Sequence, residues 1–194
     1  STSPTITTRT PFSMCFLQVD GFEADDIIGT VATQAGKKGI ETYMLTPDKD
    51  YGQLVRENVY MYRPQHGGGY EKLGVEEIEQ KYVISSPLQV IDLLALMGDS
   101  ADNFPGCPGV GEKTAVKLIN EFGSVEELIA NSAKVKGKLR EKVEAATEDI
   151  KMSKFLATIR TDVPVTQNLD DLKVVEPDKE KLDEIFTELE FKSF

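Results

Sequence analysis

The sequence predicts an α/β fold that passes into an all-helical one. Three observations carry this. Short apolar runs with strand character alternate with a helical stripe in the first 84 residues. From Ser86 onward the apolar spacing is helical throughout. A pair of acids, Asp48 and Asp50, stands just past one of the strand-like runs, where open α/β sheets gather ligands. The expected architecture is a mostly parallel sheet flanked by helices, followed by a helical subdomain. The boundaries fall at residues 1–11, 12–84 and 85–194.

Residues 1–11 are rich in hydroxyls and proline and read as a disordered or non-native leader. Residues 12–19 supply a short strand. Ile27, Ile28, Val31 and Ala32 mark the buried stripe of a helix whose first turn holds Glu23, Asp25 and Asp26. Acids there complement the helix dipole. Three in four residues also repel one another unless cations are present. Residues 40–45 form a buried strand, and Asp48 and Asp50 follow it. Their i, i+2 spacing points both to one side of an extended segment, although either alone is also a common turn former. Residues 59–63 are a second strand, and 65–69, with His66, a loop tip.

A helix opens at Gly74 and runs to about Tyr82. Ser86-Pro87 starts the next, with Ser as cap and Pro in first helical position. The apolar run 90–97 ends it. Asp99 and Asp102 follow at i and i+3. A loop with two prolines then leads through Gly109-Val110-Gly111 to a helix with Ala115, Leu118, Ile119 and Phe122 on one face. The 109–111 segment reads as a hairpin with outward N–H groups, abutting the positive end of that helix. Together they suit a phosphate, with Lys113 and Lys117 adding cationic reach. An ordinary Gly-rich loop-to-helix junction has the same spelling. Ser124-x-x-Glu127 is a capping box. Residues 137–146 and 150–159 are further helices, the latter with Phe155, Leu156 and Ile159 inward. Residues 162–165 are extended. Residues 178–189 form a last amphipathic helix with Leu182, Ile185, Phe186 and Leu189 on one face.

The net charge of −11 argues against a generic nucleic-acid binder. The bases are uneven, however. Lys134, Lys136, Lys138, Arg140 and Lys142 fall in nine residues with one acid, Glu141. That strip is either a solvated helix face or a contact for phosphates. The two cysteines, Cys15 and Cys107, form no pairing or zinc pattern, and the single His66 stands on a loop tip, which speaks against a Ser-His-Asp site. No apolar run is long enough to span a membrane and no secretory signal is visible, so a cytoplasmic protein is expected.

The run GDSADNFPGCPGVGEKTA (98–115) resembles the signature of the 5′-nuclease domain of bacterial DNA polymerase I, in the flap-endonuclease and 5′–3′ exonuclease superfamily. GFEADDIIG (21–29), TPDKDYGQLV (46–55), FLATIRTDVPV (155–165) and the terminal ELEF (188–191) resemble further parts of it, in order. The resemblance runs from Val19 to the end. It implies a PIN-like parallel sheet core, incomplete at its N-terminal side, then a helix–three-turn–helix DNA-binding subdomain. Family members carry a further N-terminal part with two more metal-binding aspartates and a helical arch, so the chain looks like the C-terminal portion of such a nuclease. Phosphodiester hydrolysis with two divalent ions, Mg²⁺ or Mn²⁺, uses carboxylate ligands. The candidates form three groups: Glu23, Asp25 and Asp26; Asp48 and Asp50; Asp99 and Asp102. The resemblance assigns Glu23 and Asp25 to one ion and Asp48, Asp50 and Asp102 to the other, with Asp99 nearby, and makes those five catalytic. It also implies duplex-phosphate contacts at Gly109, Val110, Gly111, Lys113, Thr114 and Lys117, with K⁺ on the hairpin carbonyls. The implied partners are double-stranded DNA with a 5′ end or flap and a polymerase domain in the same native chain, in DNA replication and repair. The competing readings are a non-catalytic duplex-binding fragment and a scaffold.

Overall fold

The computed structural model describes residues 6–191. The chain divides into two compact units. One takes residues up to Val31 and from Arg160 on; the other is Ala32–Ile159.

The first unit begins with a strand where a leader was expected. β1 (Ile6–Arg9) pairs antiparallel with β2 (Cys15–Gln18), with Arg9 opposite Cys15. Residues 1–5 lie outside the described residues. Arg9 explains why this polar segment is ordered. Its guanidinium donates to the backbone oxygens of Ser13 (3.1 Å), Asp171 (2.7 Å) and Lys173 (2.9 Å). Val19, Ile27 and Val163 form a small core. α1 (Ala24–Lys37) contributes its first turns here. Of its expected stripe, Ile27 is buried but Ile28 is exposed. Thr30 takes the inward place, its hydroxyl accepting from Val163 N–H at 3.1 Å. α8 (Lys179–Glu188) is capped by Asp178, whose carboxylate accepts from Lys181 N–H at 3.1 Å. Only Leu182 of its expected face is buried; Ile185 and Leu189 are exposed, and Phe186 stands against the rings of Phe12 and Phe191.

The second unit holds a three-stranded sheet in the order β3–β4–β5: β3 (Thr42–Leu45), β4 (Val59–Pro64) and β5 (Tyr70–Leu73). The β3–β4 pair is parallel, as expected, with Thr42 opposite Val59. The β4–β5 pair is antiparallel, because the turn at 65–69 is too short for a parallel crossover. Alternation puts Met44, Val59, Met61 and Leu73 into the core. Tyr43, Tyr60, Tyr62 and Tyr70 stand on the other face as a continuous run of ring contacts, with the Lys72 ammonium 3.8 Å from the Tyr60 ring centre.

Helices complete the unit: α2 (Val75–Tyr82), α3 (Gln89–Met97), α4 (Glu112–Phe122), α5 (Val125–Ala130), α6 (Lys138–Ala145) and α7 (Thr147–Ala157). α3 starts later than Ser86-Pro87 suggested. Those residues make a preceding turn, and the Gln89 side chain accepts from Ser85 N–H at 2.9 Å. Leu93, Leu94, Leu96, Ile119, Leu128 and Ile150 are fully buried among these helices. Asp92 is buried too, and Lys154 ties it at 2.8 Å while reaching Glu126 at 2.7 Å. α7 faces differently from expectation. Phe155 is 77 % exposed and Leu156 51 % exposed. Ile150, Ser153 and Ala157 share the inward face, and helical spacing puts 155 and 156 off it.

Candidate functional site

Two acidic loops lie in the second unit. The first leaves the C-terminal end of β3. It is not the extended segment that the i, i+2 spacing suggested. Asp48 caps a 3₁₀ helix (Lys49–Leu54), and its Oδ1 accepts from Asp50 N–H at 2.9 Å. Asp50 is thereby turned into the structure, and its Oδ1 is buried with no hydrogen-bond partner. Burial, then the neighbouring Asp48 charge, pushes the Asp50 carboxyl from 3.8 to about 6, with Asp99 and Asp102 adding to the rise.

The second loop follows α3. The N–H and C=O of Asp99 exchange hydrogen bonds with those of Phe104, both at 3.0 Å, closing a tight turn over residues 100–103. Asp99 Oδ1 accepts from Ala101 N–H at 2.8 Å, and Oδ2 pairs with Lys49 at 3.0 Å. The Lys49 hydrogen bond, then that from Ala101, holds the Asp99 carboxyl below its usual value. Asp102 is exposed in the turn. Two glycines make the loop possible. Gly98 (φ 69°) and Gly106 (φ 62°) cross so closely that a Cβ on Gly106 would overlap the Gly98 backbone nitrogen.

Asp48, Asp50, Asp99 and Asp102 therefore share one electrostatic neighbourhood. A buried carboxylate oxygen with no donor, ringed by like charges, is unfavourable unless a cation is supplied. The donors are all oxygen, which suits a hard divalent ion. Lys49 supplies one positive charge already, a contact across fifty positions of sequence that spacing alone does not reveal. Among the described residues, no three His, Cys, Asp or Glu side chains converge closely enough to hold an ion alone.

Glu23, Asp25 and Asp26 lie in the first unit. Glu23 is exposed. Asp26 is engaged locally: its Oδ1 accepts from Arg160 N–H at 2.9 Å. The Arg160 guanidinium pairs with Asp162 at 3.0 Å and lies 5.0 Å from the Phe22 ring centre.

The 109–111 segment is a tight turn before α4. Val110 is buried and its N–H donates inward to Cys107 O at 3.0 Å, so it does not face outward as expected. Gly111 has open space where a Cβ would stand and begins α4, its carbonyl accepting from Thr114 and Ala115. Lys113 and Lys117 are exposed and Thr114 is half-buried. From the basic strip, Lys142 of α6 reaches this turn: a Cβ on Gly109 (φ 77°) would lie 2.6 Å from its Nζ. Arg140 is committed to Glu144 at 2.7 Å.

Comparison with known proteins bears on the family and the fold. The "5′-3′ exonuclease, N-terminal resolvase-like domain" family model matches residues 5–83, and the "5′-3′ exonuclease, C-terminal SAM fold" model matches 85–180. The chain is 42 % identical over 179 residues to DNA polymerase I of Bacillus caldotenax, covering 91 % of this chain and 20 % of that protein. It is 38 % identical over 177 residues to the 5′-3′ exonuclease of Aquifex aeolicus, covering 91 % of this chain and 59 % of that protein. The chain thus spans only part of these relatives. A T5 5′-exonuclease mutant structure superposes with TM-score 0.65 at 23 % identity, over 85 % of this chain and 67 % of that one. The catalytic core of Rad2 in complex with DNA substrate gives 0.53 at 16 % identity, over 86 % of this chain and 55 % of that one. These likenesses extend the shared fold to distant proteins. With both family models matched in sequence along residues 5–180, this chain belongs to the 5′–3′ exonuclease family.

Proposed function

We propose that the chain carries most of the working parts of a metal-dependent 5′–3′ DNA exonuclease and flap endonuclease. The buried, unpartnered Asp50 Oδ1 beside Asp48, Asp99 and Asp102 carries this reading. Asp48, Asp50 and Asp102 would hold one divalent ion, Mg²⁺ or Mn²⁺; Glu23 and Asp25, with Asp26 accompanying them, are the proposed ligands of a second. A bound divalent ion supplies an activated water and neutralises charge on the leaving oxygen. The chain's own residues do the rest. Asp48 fixes the start of the 3₁₀ helix and so aims Asp50. Lys49 holds Asp99 across to the second loop.

The helical part, with its boundary near residue 84, grips duplex DNA through phosphates. Gly109 and Gly111, with Lys113, Thr114 and Lys117, are the proposed contacts, and the carbonyls of the 109–111 turn the proposed K⁺ site. Such contacts position DNA without reading its sequence, so binding weakens steeply with salt. The proposed partner is double-stranded DNA with a 5′ end or flap, with a polymerase domain in the same native chain, in the cytoplasm. No helix among the described residues is long and apolar enough to cross a membrane.

A second reading has its own observation. The Lys49–Asp99 pair and the Asp26–Arg160 bond already occupy two of the acids, which suits a chain that grips duplex without cutting. Incubating a labelled 5′-flap duplex with Mg²⁺, Mn²⁺ or EDTA, beside a gel shift on the same DNA, separates the two. Metal-dependent products support the nuclease; binding without cleavage supports the second reading.

A further inference from the structure

We infer that Gln53 and Ser153 are positioning residues for the carboxylate site, and that one face of α7 sets the spacing of the two acidic loops. The inference rests on the metal-site reading above. It begins with two polar side chains buried without charge: Gln53 is 2 % exposed and Ser153 0 %. Each is spent on backbone from another element.

Gln53 Nε2 donates to Ala157 O, and its Oε1 accepts from Ile159 N–H, both at 2.9 Å. It thereby satisfies the open carbonyl end of α7. Gln53 is three residues past Asp50 in the same 3₁₀ helix, and in that geometry i and i+3 eclipse. The side chain that grips α7 and the one that carries the unpartnered carboxylate oxygen thus share one edge of the first loop.

Ser153 Oγ accepts from Gly106 N–H at 2.8 Å. Serine is a middling helix former, and here its hydroxyl faces the core. Gly106 is locked against Gly98 by the close crossing of the two backbones. Holding Gly106 therefore holds both ends of the loop that contains Asp99 and Asp102. Ser153 and Ala157 are one turn apart on a single helix face, so the two anchor points lie about 6 Å apart along α7. Neither tether touches an acid. Each fixes the backbone from which the acids project.

The test uses Mn²⁺ as the probe, followed by the loss of the free-ion paramagnetic resonance signal, with thermal melting and a gel shift on duplex DNA in EDTA as companions. Gln53→Met and Ser153→Ala each weaken Mn²⁺ binding about tenfold, as outer-shell changes do, while duplex binding in EDTA is unchanged. The double variant loses less than the product of the two, since both tethers set one spacing. Should Gln53→Met not fold, Gln53→Asn keeps an uncharged amide on a shorter stem and gives a smaller loss in the same direction; Ser153→Cys serves likewise for Ser153→Ala. Lower melting temperatures with unaltered Mn²⁺ affinity make the tethers merely structural and overturn the inference. Asp50→Asn runs beside them. If it too leaves Mn²⁺ binding unaltered, the metal-site reading itself has failed.

Discussion

The acids at the start of α1 and those around Asp50 are written alike in the sequence and are treated differently by the structure. Asp26 receives a backbone N–H from Arg160, and its group opens a helix, where negative charge is favoured. Asp50 is driven inward by the Asp48 cap, so that its Oδ1 is buried and gains no donor. Acid clustering is thus a weak sign of a cation site. Burial of one member without a partner is a much stronger one.

The sharpest way to break this contrast is chemical. Asp48→Asn is expected to abolish metal-dependent flap cleavage while leaving duplex affinity nearly intact, measured on one labelled substrate; surviving cleavage would remove Asp48 from the ligand set. Next comes stability. The Asp50 carboxyl sits at about 6 when folded against 3.8, so the folded chain holds this proton more tightly than the unfolded one. Its contribution is present below 3.8 and is lost as pH rises through about 6. Asp50→Asn therefore stabilises the metal-free protein at neutral pH, by about 1–2 kcal/mol after allowance for partial exposure, with no gain in acid. Chemical denaturation at several pH values reads this directly. Asp26→Ala goes the other way, costing about 0.5 kcal/mol through loss of the exposed bond from Arg160 N–H, and Asp26→Asn, which keeps the acceptor, restores it. The smallest effect concerns the hairpin. Lys142→Ala is expected to lower duplex affinity only a few-fold and the salt slope by about 0.9, in a binding titration across salt.

The plan of strands giving way to helices was legible because apolar spacing reports it directly. β5 escaped because Tyr-Glu-Lys-Leu shows no clear alternation and stands between a glycine run and a helix start. The phase of α7 escaped because Phe155 and Leu156 are more apolar than Ser153, yet Ser153 has a buried partner, Gly106, that sequence cannot show. At the site, all of the acids were visible as residue types. Their states were not. The cap geometry of Asp48 is a matter of a few dihedral angles, and Lys49 meets Asp99 only through the fold. Lys142 was seen as one of a strip and not as a neighbour of Gly109 for the same reason.

The tyrosine face of the sheet has a practical meaning. The chain contains no tryptophan and six tyrosines, so tyrosine dominates its near-ultraviolet emission. Four of the six, Tyr43, Tyr60, Tyr62 and Tyr70, form the linked rings on β3, β4 and β5, beside the Lys72 ammonium and the Tyr43–Glu41 hydrogen bond. The protein thus carries a built-in optical label concentrated on one sheet surface. Any event that covers, parts or recharges that surface will register as a change in native fluorescence, with no dye attached.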